Sequence, residues 1–152
     1  MDKLKQFSLS QGKDVNVLES QIVRLAEGYD TGYAIFITRQ MATKAGFEGI
    51  DEAMAATAAS ELSTNIIRYA KQGEIVVSII KDLSYKYKGI EVYASDSGPG
   101  IRDMKLAMKE EYSSSPNSLG LGLPSVKRIM DEFYIESLQE RGTRVITRKW
   151  IK

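Results

Sequence analysis

The chain has no cysteine and no histidine. The first absence excludes a disulfide scaffold and thiolate zinc sites. The second excludes imidazole-ligated metals and every Ser-His-Asp or Cys-His nucleophile arrangement. Any metal must be a hard cation held by oxygen, such as magnesium. Charge of one sign is missing too: 21 Lys and Arg stand against 20 Asp and Glu, a formal net charge of +1. No global field therefore favours nucleic acid or an acidic membrane. No apolar run approaches the roughly 18 residues of a membrane-spanning helix. The first residues, MDKLKQFSLSQGKDVNVLES, lack the apolar run and cleavage site of a secretory signal, so a cytoplasmic location is expected. The phosphate-binding patterns GxxxxGK[ST] and GxGxxG are also absent.

What is present is a chain of 152 residues, 43% of them hydrophobic. That suffices for one domain with a real core. Residues 1–14 are polar and aperiodic and are expected to form an N-terminal extension. Residues 15–152 are expected to form the single domain.

A strand or part of a hairpin is expected over 15–26. A helix is expected over 31–45, stopped by Gly46. Asp51 suits an N-cap for an Ala-rich helix running to about Lys71. Strands follow at 74–80 and 90–95, from their β-branched density. A short helix is expected over 102–109 and a serine-rich loop over 111–118. Another helix opens at Gly120–Pro124, with Val126, Ile129, Met130 and Phe133 at helical spacing on one face. Two last strands, near 134–139 and 143–150, flank an Arg141-Gly142 turn. Short connections between neighbouring strands imply antiparallel pairing. The fold class is therefore an α+β two-layer sandwich, with helices on one face of a mixed, mostly antiparallel sheet.

Three constellations carry chemistry. In the first, Glu61, Asn65 and Arg68 share one helical face, while Ala55, Ala59, Leu62 and Ile66 turn toward the core. Asn65 offers an amide oxygen to a magnesium ion. Glu61 can accept a proton, and Arg68 can pair with Glu61 or reach phosphate. The same pattern also fits an amphipathic helix with a solvated polar edge. The second is Asp96-Ser97-Gly98-Pro99-Gly100-Ile101 at a strand end. Its glycines let the backbone turn tightly beside a flat ligand. The Asp96 carboxylate can accept a hydrogen bond from an exocyclic amine such as that of adenine, between apolar walls from Ile101 and Met104. It also fits a plain strand-exit turn. The third is Ser118-Leu119-Gly120-Leu121-Gly122-Leu123-Pro124. Glycines ahead of a helix leave N–H groups outward, where phosphate can take them. A flexible helix start reads the same way.

The order of the three is more specific than any one alone. Glu61 and Asn65 on a helix, then Asp-x-Gly-x-Gly after a strand, then Gly-x-Gly before a helix, resembles the N, G1 and G2 boxes of the GHKL (Bergerat-fold) ATPase and kinase superfamily. Gly142-Thr143 is similar to that family's late threonine. The resemblance spans about residues 22–150. With no phosphoacceptor histidine and no transducer domain, the compact serine/threonine kinase branch remains. Residues 120–133 and the segments Ala59–Leu62, Asn65-Ile66 and Tyr69-Ala70 resemble RsbT-type switch kinases, with RsbW- and SpoIIAB-type anti-sigma factors as siblings.

This resemblance implies ATP and Mg2+ as cofactors. It implies phosphorylation of a serine or threonine on a STAS-domain antagonist or scaffold protein, and activation of a PP2C-type phosphatase. Glu61 would be the general base and Asn65 the magnesium ligand. Asp96, Gly98, Gly100, Ile101 and Thr143 would hold adenine, Arg68, Ser118 and Leu119 would add to nucleotide binding, and the backbone of Gly120, Leu121, Gly122 and Leu123 would cradle phosphates. Ser113–Ser118 would form a short lid hinged at Gly120, with weak to moderate ATP affinity. Two alternatives stand beside this reading. One is an anti-sigma factor that sequesters a sigma subunit. The other is a non-catalytic nucleotide-binding interaction module.

Overall fold

The computed structural model describes residues 15–108 and 122–152. The expected extension over 1–14, the serine-rich loop and the proposed lid therefore lie outside the described residues. Strand β1 spans Val15–Leu25, helix α1 Asp30–Ala45 and helix α2 Gly49–Asn65. A π-helical turn, Ile66–Ala70, continues α2. Then come β2 (Gly73–Asp82), β3 (Lys88–Asp96), the single-turn α3 (Met104–Ala107), α4 (Leu123–Ile129), β4 (Glu132–Leu138) and β5 (Gly142–Trp150).

The strands form one sheet in the order β1-β2-β3-β5-β4, and every pairing among them is antiparallel. Alternation decides what each strand buries. On β2 and β3, Ile75, Val77, Ile79, Ile90, Val92 and Ala94 face the helices and join one core with Ala34, Met41, Ala55, Ala59, Leu62 and Ile66. The four apolar positions read on α2, Ala55, Ala59, Leu62 and Ile66, are all at most 2% exposed. Alanines along α2 let α1 and the sheet approach closely, so small side chains serve packing here rather than helix propensity alone.

Element ends differ from the sequence reading where tertiary contacts intervene. Gly46 ends α1 as expected, its N–H reaching Ala42 O at 3.1 Å and Thr43 O at 3.0 Å. The cap of α2 is Glu48, in extended conformation, rather than Asp51; Asp51 and Glu52 sit in the first turn, where carboxylates still meet the helix N-terminus. The helical run reaches Ala70, next to the expected end at Lys71, but changes from α to π after Asn65. Helix α4 stops at Ile129: Met130 is extended and Asp131 N–H already bonds Arg148 O at 2.9 Å, so Phe133 lies on β4. Val126, Met130, Ile129 and Phe133 nevertheless pack together, against Ala58 of α2.

Candidate active site

Three side chains lie side by side at one end of the sheet. Register pairs Asp96 of β3 with Thr143 of β5, and Thr143 with Ser137 of β4. Gly73 of β2 completes the row. A Cβ at Gly73 would sit 2.5 Å from Ser95 O and 2.8 Å from Ile66 Cγ2, so the row leaves no room for a side chain there.

Asp96 is partly buried. Desolvation by burial raises its carboxyl above the ordinary 3.8, and hydrogen bonds from the backbone of Gly98 and Thr143 act in the opposite direction. The Gly98 N–H reaches Asp96 Oδ1 at 2.9 Å. A Cβ at Gly98 would stand 2.5 Å from Ala70 Cβ, so this turn is seated against the end of the π-helical segment.

The loop beyond it is tied to the β4–β5 hairpin. Ile101 N–H donates to Ser137 Oγ at 2.7 Å, and Glu140 N–H donates to Pro99 O at 2.5 Å. Gly100 has φ +76°, and a Cβ there would collide with the carbonyl of Leu138. Glycine is required on both counts.

Above the row opens a cavity of about 430 Å3. Asn65, Asp96, Gly100, Ile101, Leu123 and Thr143, all expected site residues, line it. Its walls are otherwise mainly apolar, with Leu62, Ile66, Ala94 and Val145 among them. A flat apolar ring with one exocyclic amine fits this chemistry: apolar walls can take its faces and a carboxylate at Asp96 can accept from the amine. Among the described residues, no three acidic side chains gather to hold a metal. Asn65 brings a side-chain amide oxygen to the cavity wall, a ligand type that a magnesium ion keeping waters and phosphate oxygens can use.

Glu61 lies one turn back along α2 and is not among the cavity lining. Its carboxylate sits against the backbone of Gly122, the residue before α4, whose φ is +64°. A Cβ at Gly122 would overlap Glu61 Oε2. The helix carrying the candidate base and Gly122, near the end of the candidate phosphate cradle, are thus in direct contact. Ser118, Leu119, Gly120 and Leu121 fall outside the described residues.

Arg68 is not brought to the cavity. The π-helical turn after Asn65 changes the angular step per residue, so i+7 from Glu61 no longer falls on the same face. Tyr69 and Ala70 line the cavity instead. Arg68 is exposed, with its guanidinium 5.9 Å from the centre of the Tyr69 ring. Sequence reasoning also missed Ser137. Its signal was present: a tight turn at Arg141-Gly142 places the residue before Leu138 opposite Thr143.

Residues 26–149 match the family described as histidine kinase-like ATPase domain. The serine/threonine-protein kinase RsbT of Bacillus subtilis (strain 168) is 38% identical over 134 residues, covering 88% of this chain and 98% of that protein. The anti-sigma F factor of Clostridium novyi (strain NT) is 36% identical over 100 residues, covering 63% of this chain and 68% of that protein. Among solved structures, the nucleotide-free catalytic domain of histidine kinase ThkA covers 85% of this chain and 95% of its own, with 18% identity and a TM-score of 0.45. No helix among the described residues is long and apolar enough to cross a membrane. The chain belongs to the histidine kinase-like ATPase family, in the compact branch that includes the RsbT kinases.

Proposed function

We propose that this chain, a serine/threonine protein kinase of that family, phosphorylates a STAS-domain regulatory protein in a cytoplasmic partner-switching pathway. The observation that carries the reading is the single cavity shared by Asn65, Asp96 and Thr143, in a chain that spans 98% of the RsbT kinase. ATP supplies the phosphoryl group. Asp96, Gly98, Gly100, Ile101 and Thr143 orient the base. Asn65 would hold Mg2+, which would supply charge neutralisation at the phosphate oxygens. The backbone from Gly120 to Leu123 receives phosphate.

Glu61 accepts the proton of the substrate hydroxyl as its oxygen bonds to the transferred phosphorus and the bond to the departing diphosphate breaks. The packing of that carboxylate against the Gly122 backbone supports this role. Once released from its STAS partner, the kinase is available to activate a PP2C-type phosphatase. The anti-sigma reading is the weaker one, because the chain spans only 68% of that relative against 98% of RsbT.

The test is transfer of radiolabelled γ-phosphate to STAS proteins of the same genome. Label is expected on one serine or threonine, and Glu61→Gln should lower transfer by about 10²–10⁴-fold. ATP binding without transfer to any candidate, together with tight sigma binding, would reject the kinase reading in favour of sequestration.

A further inference from the structure

Ser137 touches the site without lining the cavity, and its hydrogen bonds can be counted. A hydroxyl has one hydrogen to donate and two lone pairs. Ser137 Oγ accepts the Ile101 N–H at 2.7 Å. It lies 2.8 Å from Thr143 Oγ1 and 3.4 Å from the carbonyl oxygen of Gly142. The first of these is at the usual O–H···O distance and the second lies beyond it. Either hydroxyl can donate across the 2.8 Å contact; where Ser137 donates, its hydrogen goes to Thr143 Oγ1, the nearer of its two acceptors. In that arrangement Thr143 keeps its own hydrogen to donate, and Thr143 lines the cavity beside Asp96.

The cavity end then presents an acceptor at Asp96 and a donor at Thr143. An exocyclic amine next to an unprotonated ring nitrogen matches that pair. Adenine carries this combination, whereas guanine carries a carbonyl next to a ring N–H on the corresponding edge. We propose that Ser137 is a positioning residue that fixes the direction of the Thr143 hydroxyl, so that Thr143 donates into the cavity and the site discriminates adenine from guanine.

The inference rests on the ATP-binding reading above and goes one residue beyond it. Ser137 is not needed to hold the loop in place by itself: Glu140 N–H to Pro99 O, and the close packing of Gly100 on Leu138, tie the same loop to the same hairpin. Its removal should therefore leave the fold intact while freeing the Thr143 hydroxyl to rotate.

The experiment measures ATP and GTP dissociation constants by calorimetry for the full chain and four variants: Ser137→Ala, Ser137→Thr, Thr143→Ala and the Ser137→Ala/Thr143→Ala double variant. Thermal melts report the fold of each. Ser137→Ala should weaken ATP binding about tenfold, the scale of one well-made hydrogen bond, and change GTP binding little. Ser137→Thr, which keeps the hydroxyl, should restore ATP affinity. In the Thr143→Ala background, Ser137→Ala should add less than about twofold, because a residue acting through another shows no separate effect once that other is gone. An equal loss for both nucleotides, or a full additional loss in the double variant, would show that Ser137 only props the loop and would overturn the inference. A parent chain that binds ATP while Ser137→Ala binds it equally well overturns this inference alone. A parent chain that binds neither nucleotide overturns the kinase reading as well.

Discussion

On the helix-facing side of the sheet, β2, β3 and β5 present Ile75, Val77, Ile90, Val92, Ala94 and Val145, and polar side chains gather at one end, in the row Asp96, Thr143 and Ser137. On the opposite side, ionic and apolar rows alternate. Ile22, Val76, Tyr93, Ile146 and Tyr134 stand in register across all five strands. The next row brings Glu91, Arg148 and Glu132 together: Arg148 Nε meets Glu91 Oε2 at 2.7 Å, and Arg148 Nη1 meets Glu132 Oε1 at 3.4 Å. Glu132 also accepts from Tyr134 and from the Trp150 indole. Arg148 is 0% exposed and Glu91 1%.

The two sides bury polar groups for different ends. The Glu91–Arg148–Glu132 row sets one guanidinium between two carboxylates, and its side chains bond one another, as buried ions must. Asp96 has the backbone N–H groups of Gly98 and Thr143 as partners and lines a cavity. Completeness marks a device of the fold. A partly desolvated carboxylate lining a pocket marks a binding device.

The largest expected effect breaks the first of these. Glu91→Ala leaves Arg148 buried without its main partner and should cost roughly 3–5 kcal/mol of stability, measured by urea unfolding. ATP affinity of the folded fraction should stay close to that of the parent chain. A loss of ATP affinity with unchanged stability would erase the distinction between the sides.

A smaller effect is expected from Gly122→Ala. The new Cβ would strike the Glu61 carboxylate, and its backbone would be held at positive φ. Phosphate transfer should fall by roughly tenfold or more, since displacement of a catalytic group by about 1 Å costs on the order of 10²-fold. The unfolding midpoint should drop by the modest amount that alanine strain at positive φ brings.

The smallest effect concerns Asp96 and pH. Burial raises its folded-state pKa above 3.8. Its ionised form therefore costs stability at every pH above the folded pKa, and that cost disappears as pH falls through the unfolded value. Asp96→Asn should leave neutral-pH stability unchanged or slightly raised. Binding follows the opposite sense: as pH falls through the raised pKa, the acceptor for the adenine amine is protonated and ATP affinity declines. That decline should begin at a higher pH than for an ordinary aspartate and should vanish in Asp96→Asn, whose ATP affinity is low throughout. Parallel pH profiles for the two proteins would count against Asp96 as the group responsible.

Much of the fold was legible because its signals are local. β-branched density placed β2 and β3, Gly46 ended α1 where expected, and the Ala-rich core face of α2 is buried at Ala55, Ala59, Leu62 and Ile66. The motif order also brought Asn65, Asp96, Gly100, Ile101, Leu123 and Thr143 to one cavity. Arg68 shows where local reading fails. Its placement followed from a regular α-helix, and the chain instead takes a π-helical turn at Ile66–Ala70, where Ile66 is buried and Ala70 meets Gly98.

The sequence by itself determined the layer architecture, the helix and strand identities and the residue types able to bind nucleotide, since each depends on periodicity and on chemistry carried within short segments. The tertiary structure alone decided that Ser137 stands beside Thr143, that Gly122 rests on Glu61, and that Arg148 finds Glu91 across the sheet. Those three contacts join residues distant in sequence or on different elements, and they are set by strand register and helix packing, which no single segment encodes.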